Sequence, residues 1–397
     1  MSTSETSTDT ATTVDQGSTS TPTSEIVTPA VQPKKLTTTI KDNHQLHIYE
    51  VSNPSNNCTI TFHRTLRIPD DGKVYPLPPS LGHFPLCNVD DYLDKVPEDW
   101  KKTGGVFFPM HQREAMWMQF HAGQYIRPKA LKIAVGKVSA ISGKPWSNQL
   151  EENDYVIVPG QPWLDGINAG GKGNIKQFVA MPLGSGYSVE AQVTGEEKFG
   201  GIQLMVFDNK ESERVKRYPV ELPTGRTNFR RNRSCRGRGG GRGGGRGGGA
   251  PRKRCRSDSA SAAGEQRTES RDMEAREMSL SAGGTMKQQI TKDTHGIDFW
   301  DQTCFARVYV RIVNSQMFEQ ITGKKAPPTP ITAQTYSSHG YPWFDIYNES
   351  PENSIDQTNV LKQVKSVKEK DIETYACPQQ DETSIQLSAS QVKKLFK

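Results

Sequence analysis

FARVYVRIV, residues 305–313, alternates apolar and polar side chains from Ala306 to Ile312. Ala306, Val308, Val310 and Ile312 fall on one face, and Arg307, Tyr309 and Arg311 on the other. A period of two with β-branched residues on the apolar side specifies a strand that lays one face on a core. CTITFHRTL, residues 58–66, has the same character, with Ile60 and Phe62 set between polar residues. Runs at 131–138, 154–158, 176–181 and 201–207 read as further strands, and 215–221 as a weaker one.

Helices are expected to be few. MHQREAMWMQFH, residues 110–121, holds good helix formers and no Gly or Pro, so propensity predicts a helix there. A short helix is expected within 88–100, with Asp90 and Asp91 in its first turn and Pro97 ending it. Another is expected over 274–280, stopped by Gly283-Gly284. A last one, over 316–321, would be capped by Ser315 and ended by Gly323. The fold class is therefore α+β, mainly antiparallel β with few helices.

Between those strands lies CRGRGGGRGGGRGGGAPRKRCR, residues 235–256, which has almost no apolar surface to bury and maximal backbone entropy to lose. The stretch from Arg214 to Arg256 carries 15 Lys and Arg against one acid, Glu221. The chain as a whole is +6, so everything outside that stretch sums to −8. Positive charge is local, and it points to a polyanion for the insert and not for the body. The organisation expected is a disordered Ser/Thr-rich tail over 1–35, a first half over 44–222, a disordered basic insert over 223–272, a second half over 273–365, and a polar tail over 366–397. Ordered structure is expected from near His44.

Composition narrows the function classes. Six cysteines form no CxxC pair and eight histidines show no zinc-finger spacing, which reads as reduced, intracellular usage with no metal or cofactor expected. No apolar run approaches the roughly 18 residues of a membrane span, so no membrane partner is expected. Residues 1–33 hold no Lys or Arg, which argues against secretory and mitochondrial signals.

Two segments recur at an offset of 180 residues. Ile141-Ser142-Gly143-Lys144 returns as Ile321-Thr322-Gly323-Lys324, and Gly160-x-Pro162-Trp163-Leu164-Asp165 as Gly340-x-Pro342-Trp343-Phe344-Asp345. Seven identities in 25 positions exceed the one or two that residue frequencies give by chance, roughly. The two halves are read as related units, with a coincidence of two Pro-Trp corners as the simpler alternative.

The blocks FPMHQREAMW, KIAVGKVSAISGKPW, DYVIVPGQPWLDG, KQFVAMPLGSGYSVEAQVTGEEKFGGIQLMVF and MSLSAGGTMKQQITKDTHGIDFWD resemble a group of uncharacterised, mainly bacterial proteins. The resemblance runs from about 60 to 347. It implies that both halves belong to one ancient unit and carries over no catalytic residue. Separately, the insert is similar to the RGG boxes of eukaryotic RNA-binding proteins.

Arg236, Arg238, Arg242 and Arg246, with Arg252, Lys253, Arg254 and Arg256, are the candidate nucleic-acid contacts. Guanidinium groups grip phosphate and stack on bases, and glycine lets the backbone follow an irregular strand. Only Tyr218 and Phe229 lie near enough to add stacking. Pro251 to Arg256 also reads as a nuclear import signal, implying an import receptor and a nuclear or nucleocytoplasmic location. GINAGGKG, residues 166–173, nearly matches a phosphate loop, but Gly173 replaces the magnesium-binding hydroxyl and a strand follows, so nucleotide hydrolysis is not expected. His111 and Glu114 would share a helix face, most simply as surface polar residues. No catalytic triad or dyad can be assembled from spacing. The leading expectation is an RNA-associated protein that binds through its insert. The alternative is an enzyme or small-ligand protein whose cleft is lined by Trp163, Asp165, Trp343 and Asp345, with the insert serving only location.

Overall fold

The computed structural model describes residues 36–123, 127–171, 173–210, 275–328 and 354–375, together with the backbone of the paired strands Trp343–Tyr347 and Val392–Phe396. The eight insert residues singled out above lie outside the described residues, as does the N-terminal tail.

Eleven principal strands carry the body: β1 (Leu36–Lys41), β2 (Gln45–Glu50), β3 (Asn53–Thr65), β4 (Val106–Pro109), β5 (Ala115–Ala122), β6 (Lys129–Val135), β7 (Val156–Val158), β8 (Asn174–Pro182), β9 (Ile202–Asn209), β10 (Glu277–Lys287) and β11 (Trp300–Val313). Their hydrogen bonds form one ladder with two limbs. The first runs β1-β2-β3-β5-β8-β10, antiparallel throughout. The second runs β11-β9-β6-β7, also antiparallel, with β4 parallel to the other edge of β11. The limbs join where Glu277 and Met278 of β10 pair with Val313 and Ile312 of β11. The fold is thus mainly antiparallel β with few helices, as the alternating runs imply.

One core serves both limbs. Ile60 and Phe62 of β3, Met116 and Met118 of β5 and Phe178 of β8 meet Leu131 and Ile133 of β6, Leu204 of β9, and Val308 and Val310 of β11. Each such side chain, fully withdrawn from water, contributes about 1.5–3 kcal/mol. Strands from both sides of the insert therefore interleave: β10 pairs β8 and β11 pairs β9. Ahead of the expected His44, residues from Leu36 already form β1, which pairs along its whole length with β2.

Three helix expectations are corrected. Residues 115–122 form β5, not a helix. Met116, Met118 and Phe120 face the shared core while Trp117 stacks on His63 across the other face, ring centroids 3.9 Å apart. Burial on both sides erases the polar/apolar alternation, and pairing with β3 overrides propensity. His111 and Glu114 consequently sit in the turn before β5, where Glu114 Oε2 accepts from the His111 backbone N–H at 2.9 Å. The 274–280 run continues as β10 straight through Gly283-Gly284. Those glycines permit close approach: a Cβ on Gly284 would lie 2.3 Å from the Pro69 carbonyl oxygen, and one on Gly283 2.6 Å from Val179. Pro97 starts a helix instead of ending one. A 3₁₀ turn covers Val89–Tyr92, and α1 (Glu98–Thr103) follows the proline.

The remaining α-helices among the described residues are α2 (Val189–Thr194), α3 (Ser315–Thr322), α4 (Asn359–Lys362) and α5 (Val367–Tyr375). Asn314, not Ser315, caps α3, accepting from Met317 N at 2.9 Å. The two ISGK-like copies differ in setting: Ile141–Lys144 forms a turn after a short strand, while Ile321 and Thr322 end α3. Their shared glycines are both left-handed, Gly143 at φ 73° and Gly323 at φ 70°. Within the 366–397 segment, α5 spans Val367–Tyr375 and Asp371 is buried. Among the described residues no helix is long and apolar enough to cross a membrane.

Candidate nucleic-acid interface

Alternation along β11 decides what faces outward. With Ala306, Val308, Val310 and Ile312 in the core, Phe305, Arg307, Tyr309 and Arg311 lie on the opposite face. The register aligns Arg307 with Met205 of β9 and Met205 with Lys132 of β6, so these share that face. Two caps cover its ends. Leu150, Tyr155, Phe299 and Trp300 pack over Met205 and Phe207 at one end. Trp100 of α1 and Phe318 of α3 pack over Phe107 at the other. Between the caps Arg307 and Tyr309 are half-buried, and Phe305 is 41% exposed.

Cations and rings alternate across this strip. The Lys132 ammonium lies 5.3 Å from the Trp146 ring centre, and the Arg307 guanidinium carbon 5.5 Å from the same ring and 4.7 Å from Tyr309. Arg311 then stands 5.5 Å from Tyr309 and 5.8 Å from Trp100. Each such contact is worth about 0.5–2 kcal/mol, depending on solvent access. Lys132 positions the Trp146 loop. Its buried ammonium pairs with Asp154 Oδ2 at 2.9 Å and donates to Ser147 Oγ at 2.9 Å and the Gln149 carbonyl at 2.7 Å. Asp154 is held in turn by the Ser142 hydroxyl.

The arginines are paired differently. Arg307 donates to the neutral oxygens of Gln203 Oε1 at 2.6 Å and Asn148 Oδ1 at 3.1 Å. No carboxylate among the described residues forms an ion pair with it. Arg311 donates to the Phe199 carbonyl at 3.0 Å and Thr103 Oγ1 at 3.3 Å. Burial pushes the Arg311 guanidinium below its ordinary pKa, and the Glu277 charge opposes that shift. The Nε atoms of both arginines and Nε1 of Trp146 are buried N–H donors with no hydrogen-bond acceptor among the described residues. Leaving such a donor unpaired costs about 1–3 kcal/mol.

The connection over 211–274, which contains the basic insert, meets the described chain at the two ends of this strand. It leaves after Asn209, which pairs with Trp300 at the start of β11. Its exit is locked by a buried cluster: Asp208 Oδ1 takes the Lys129 ammonium at 2.5 Å and Oδ2 takes Asn56 Nδ2 at 2.8 Å. Burial drives the Lys129 pKa down and Asp208 opposes it; burial also pushes the nearby Cys58 thiol up to about 12. The insert returns at Arg276, whose N–H donates to Asn314 Oδ1 at 3.2 Å and whose carbonyl accepts from Asn314 N at 3.0 Å, beside the end of β11.

The Trp-Asp corners expected from sequence are placed as follows. Trp163 belongs to the shared core, and Asp165 is completely buried, its Oδ2 accepting from Gln288 Nε2 at 2.9 Å. Trp343 and Asp345 lie in a strand whose side chains are outside the described residues. In the GINAGGKG segment Gly166–Ile167 is a short strand paired antiparallel with Gln177 and Lys176, and β8, not a helix, follows the segment. Sequence reading missed Trp146 and Lys132 as members of the strip. The outward set on β11 is visible in the alternation; its neighbours come from segments far away in the chain.

No protein-family model matches the chain, no curated protein is similar to it, and no solved structure resembles it.

Proposed function

We propose that this chain is an RNA-associated protein that engages RNA through its Arg-Gly-rich segment at 223–272. The observation that carries the reading is the concentration of 15 basic residues against one acid between Arg214 and Arg256, in a chain whose remainder is acidic. Contact would be electrostatic and stacking-based, with weak sequence preference. Pro251 to Arg256 would serve as an import signal, giving a nuclear or nucleocytoplasmic location. The small-ligand alternative draws no comparable support, since Asp165 is buried and engaged by Gln288.

The test is equilibrium binding of a single-stranded RNA across a salt series. Replacing Arg238, Arg242 and Arg246 by serine in the full chain should weaken binding and lower the slope of log K against log salt by about 2, at roughly 0.7 for each phosphate no longer neutralised. An unchanged curve would remove the reading.

A further inference from the structure

We infer that the outward face of β11 is a second contact surface for single-stranded nucleic acid, formed by Trp146, Phe305, Arg307 and Tyr309, with the buried Arg311 backing the Tyr309 ring. The inference rests on the RNA reading above and deepens it by locating a base-contacting surface on the body.

Three observations converge on this strip. The first is its chemistry. Rings and guanidinium groups alternate over the six-residue step from Phe305 to Arg311, roughly 20 Å of strand. Bases of any identity stack on such rings, and guanidinium planes take both bases and phosphate. The second is charge. Arg307 has only neutral oxygens as hydrogen-bond partners among the described residues, so its charge is free to meet an anion. Cations that brace the body are matched: buried Lys129 by Asp208, buried Lys132 by Asp154 and part-buried Arg113 by Asp371. The third is topology. The connection over 211–274 is 64 residues long and is fixed at the two ends of β11, through Asn209 opposite Trp300 and Glu277 opposite Val313. Both ends of the connection that carries the insert therefore meet the described chain at the ends of the strand that bears this face.

The insert itself is a poor occupant, because its arginines would be repelled by Arg307 and Arg311. A duplex is a poor occupant too. Its bases are stacked internally, and the ring faces here lie in a strip bordered by two caps. A single strand offers both exposed bases and negative charge.

The experiment uses the full-length protein and a single-stranded RNA of about 20 nucleotides carrying 4-thiouridine, long enough to span one such groove. Crosslinked peptides are mapped by mass spectrometry, and affinities are measured for wild type, Phe305→Ala and Arg307→Gln. Inorganic polyphosphate serves as a base-free control, and single-stranded DNA of the same sequence tests whether the sugar matters. Phe305→Ala makes no hydrogen-bond change and guards against a folding defect in Arg307→Gln; thermal melts report folding for both. The expected results are crosslinks at 146 and 305–309, RNA affinity reduced about tenfold in either variant, and polyphosphate affinity unchanged in Phe305→Ala. If both variants bind RNA like wild type and crosslinks fall only within 211–274, this inference is overturned while the insert's role in binding stands. If the full chain ignores RNA at low salt, both fall together.

Discussion

The two outward faces of the ladder are finished in opposite ways. Over β8 and β10 the segment 354–375 lies as a strap that buries its own Leu361, Val364 and Val367 against the body. It is fastened by carboxylate pairs: Arg113 holds Asp371 through two bonds of 2.9 and 2.7 Å, and Tyr187 adds a third at 2.9 Å. Over β9 and β11 no strap among the described residues closes the middle of the face, and its arginines meet rings and neutral oxygens. Arg113, which fastens the strap, has a carboxylate; Arg307, on the open face, has no ion pair among the described residues. The difference separates a charge already neutralised from one still available to a partner.

That comparison should break first at the buried pair. Asp208→Ala leaves the Lys129 ammonium buried and unpaired and should cost about 3–5 kcal/mol in denaturant unfolding, while the double change Lys129→Met/Asp208→Leu should recover most of it. The strap comes next. Asp371→Ala should cost about 2–3 kcal/mol, because Arg113 keeps some solvent, and limited proteolysis should open residues 354–375 before the rest of the body. Loss of stability without selective cleavage would mean the strap is not a separate unit. Arg307→Gln should cost under about 1 kcal/mol, since this side chain engages only neutral oxygens and ring faces. A destabilisation as large as that of Asp208→Ala would place Arg307 among the structural cations.

A smaller effect concerns pH. Burial lowers the pKa of His47, of His83 and of His295 below the ordinary 6.5, with Lys41 and His44 adding to the first two. The unfolded chain therefore takes up protons that the folded chain resists. Their contribution is fully present above about 6.5 and is lost as pH falls through the depressed folded values. The denaturation midpoint should decline between about pH 7.5 and 5.5, and His83→Gln should flatten part of that decline.

Strands with an apolar core face and a polar opposite face can be read directly from sequence, as at 58–66 and 305–313, because their side-chain chemistry alternates even where, as at Thr61, His63 and Thr65, the polar face is buried too. β5 cannot. Its Trp117 and Met118 are both buried on opposite faces, so the period vanishes and propensity suggests a helix. β10 is hidden by Gly283-Gly284, which look like a stop and serve close packing against Pro69 and Val179. Half of the strip is visible as Arg307, Tyr309 and Arg311 on one side of a strand. Trp146 reaches it only because Lys132, inside an apolar run, holds the loop through Ser147 and Gln149. Such a long-range support leaves no local pattern.

Hydrogen exchange of the full-length protein with and without single-stranded RNA tests the contrast between the two faces most directly. Slower exchange is expected in the Trp146–Leu150 loop bordering the open face, with the strap at 354–375 unchanged. Protection confined to 211–274, with that loop unaffected, would contradict a contact surface on the body.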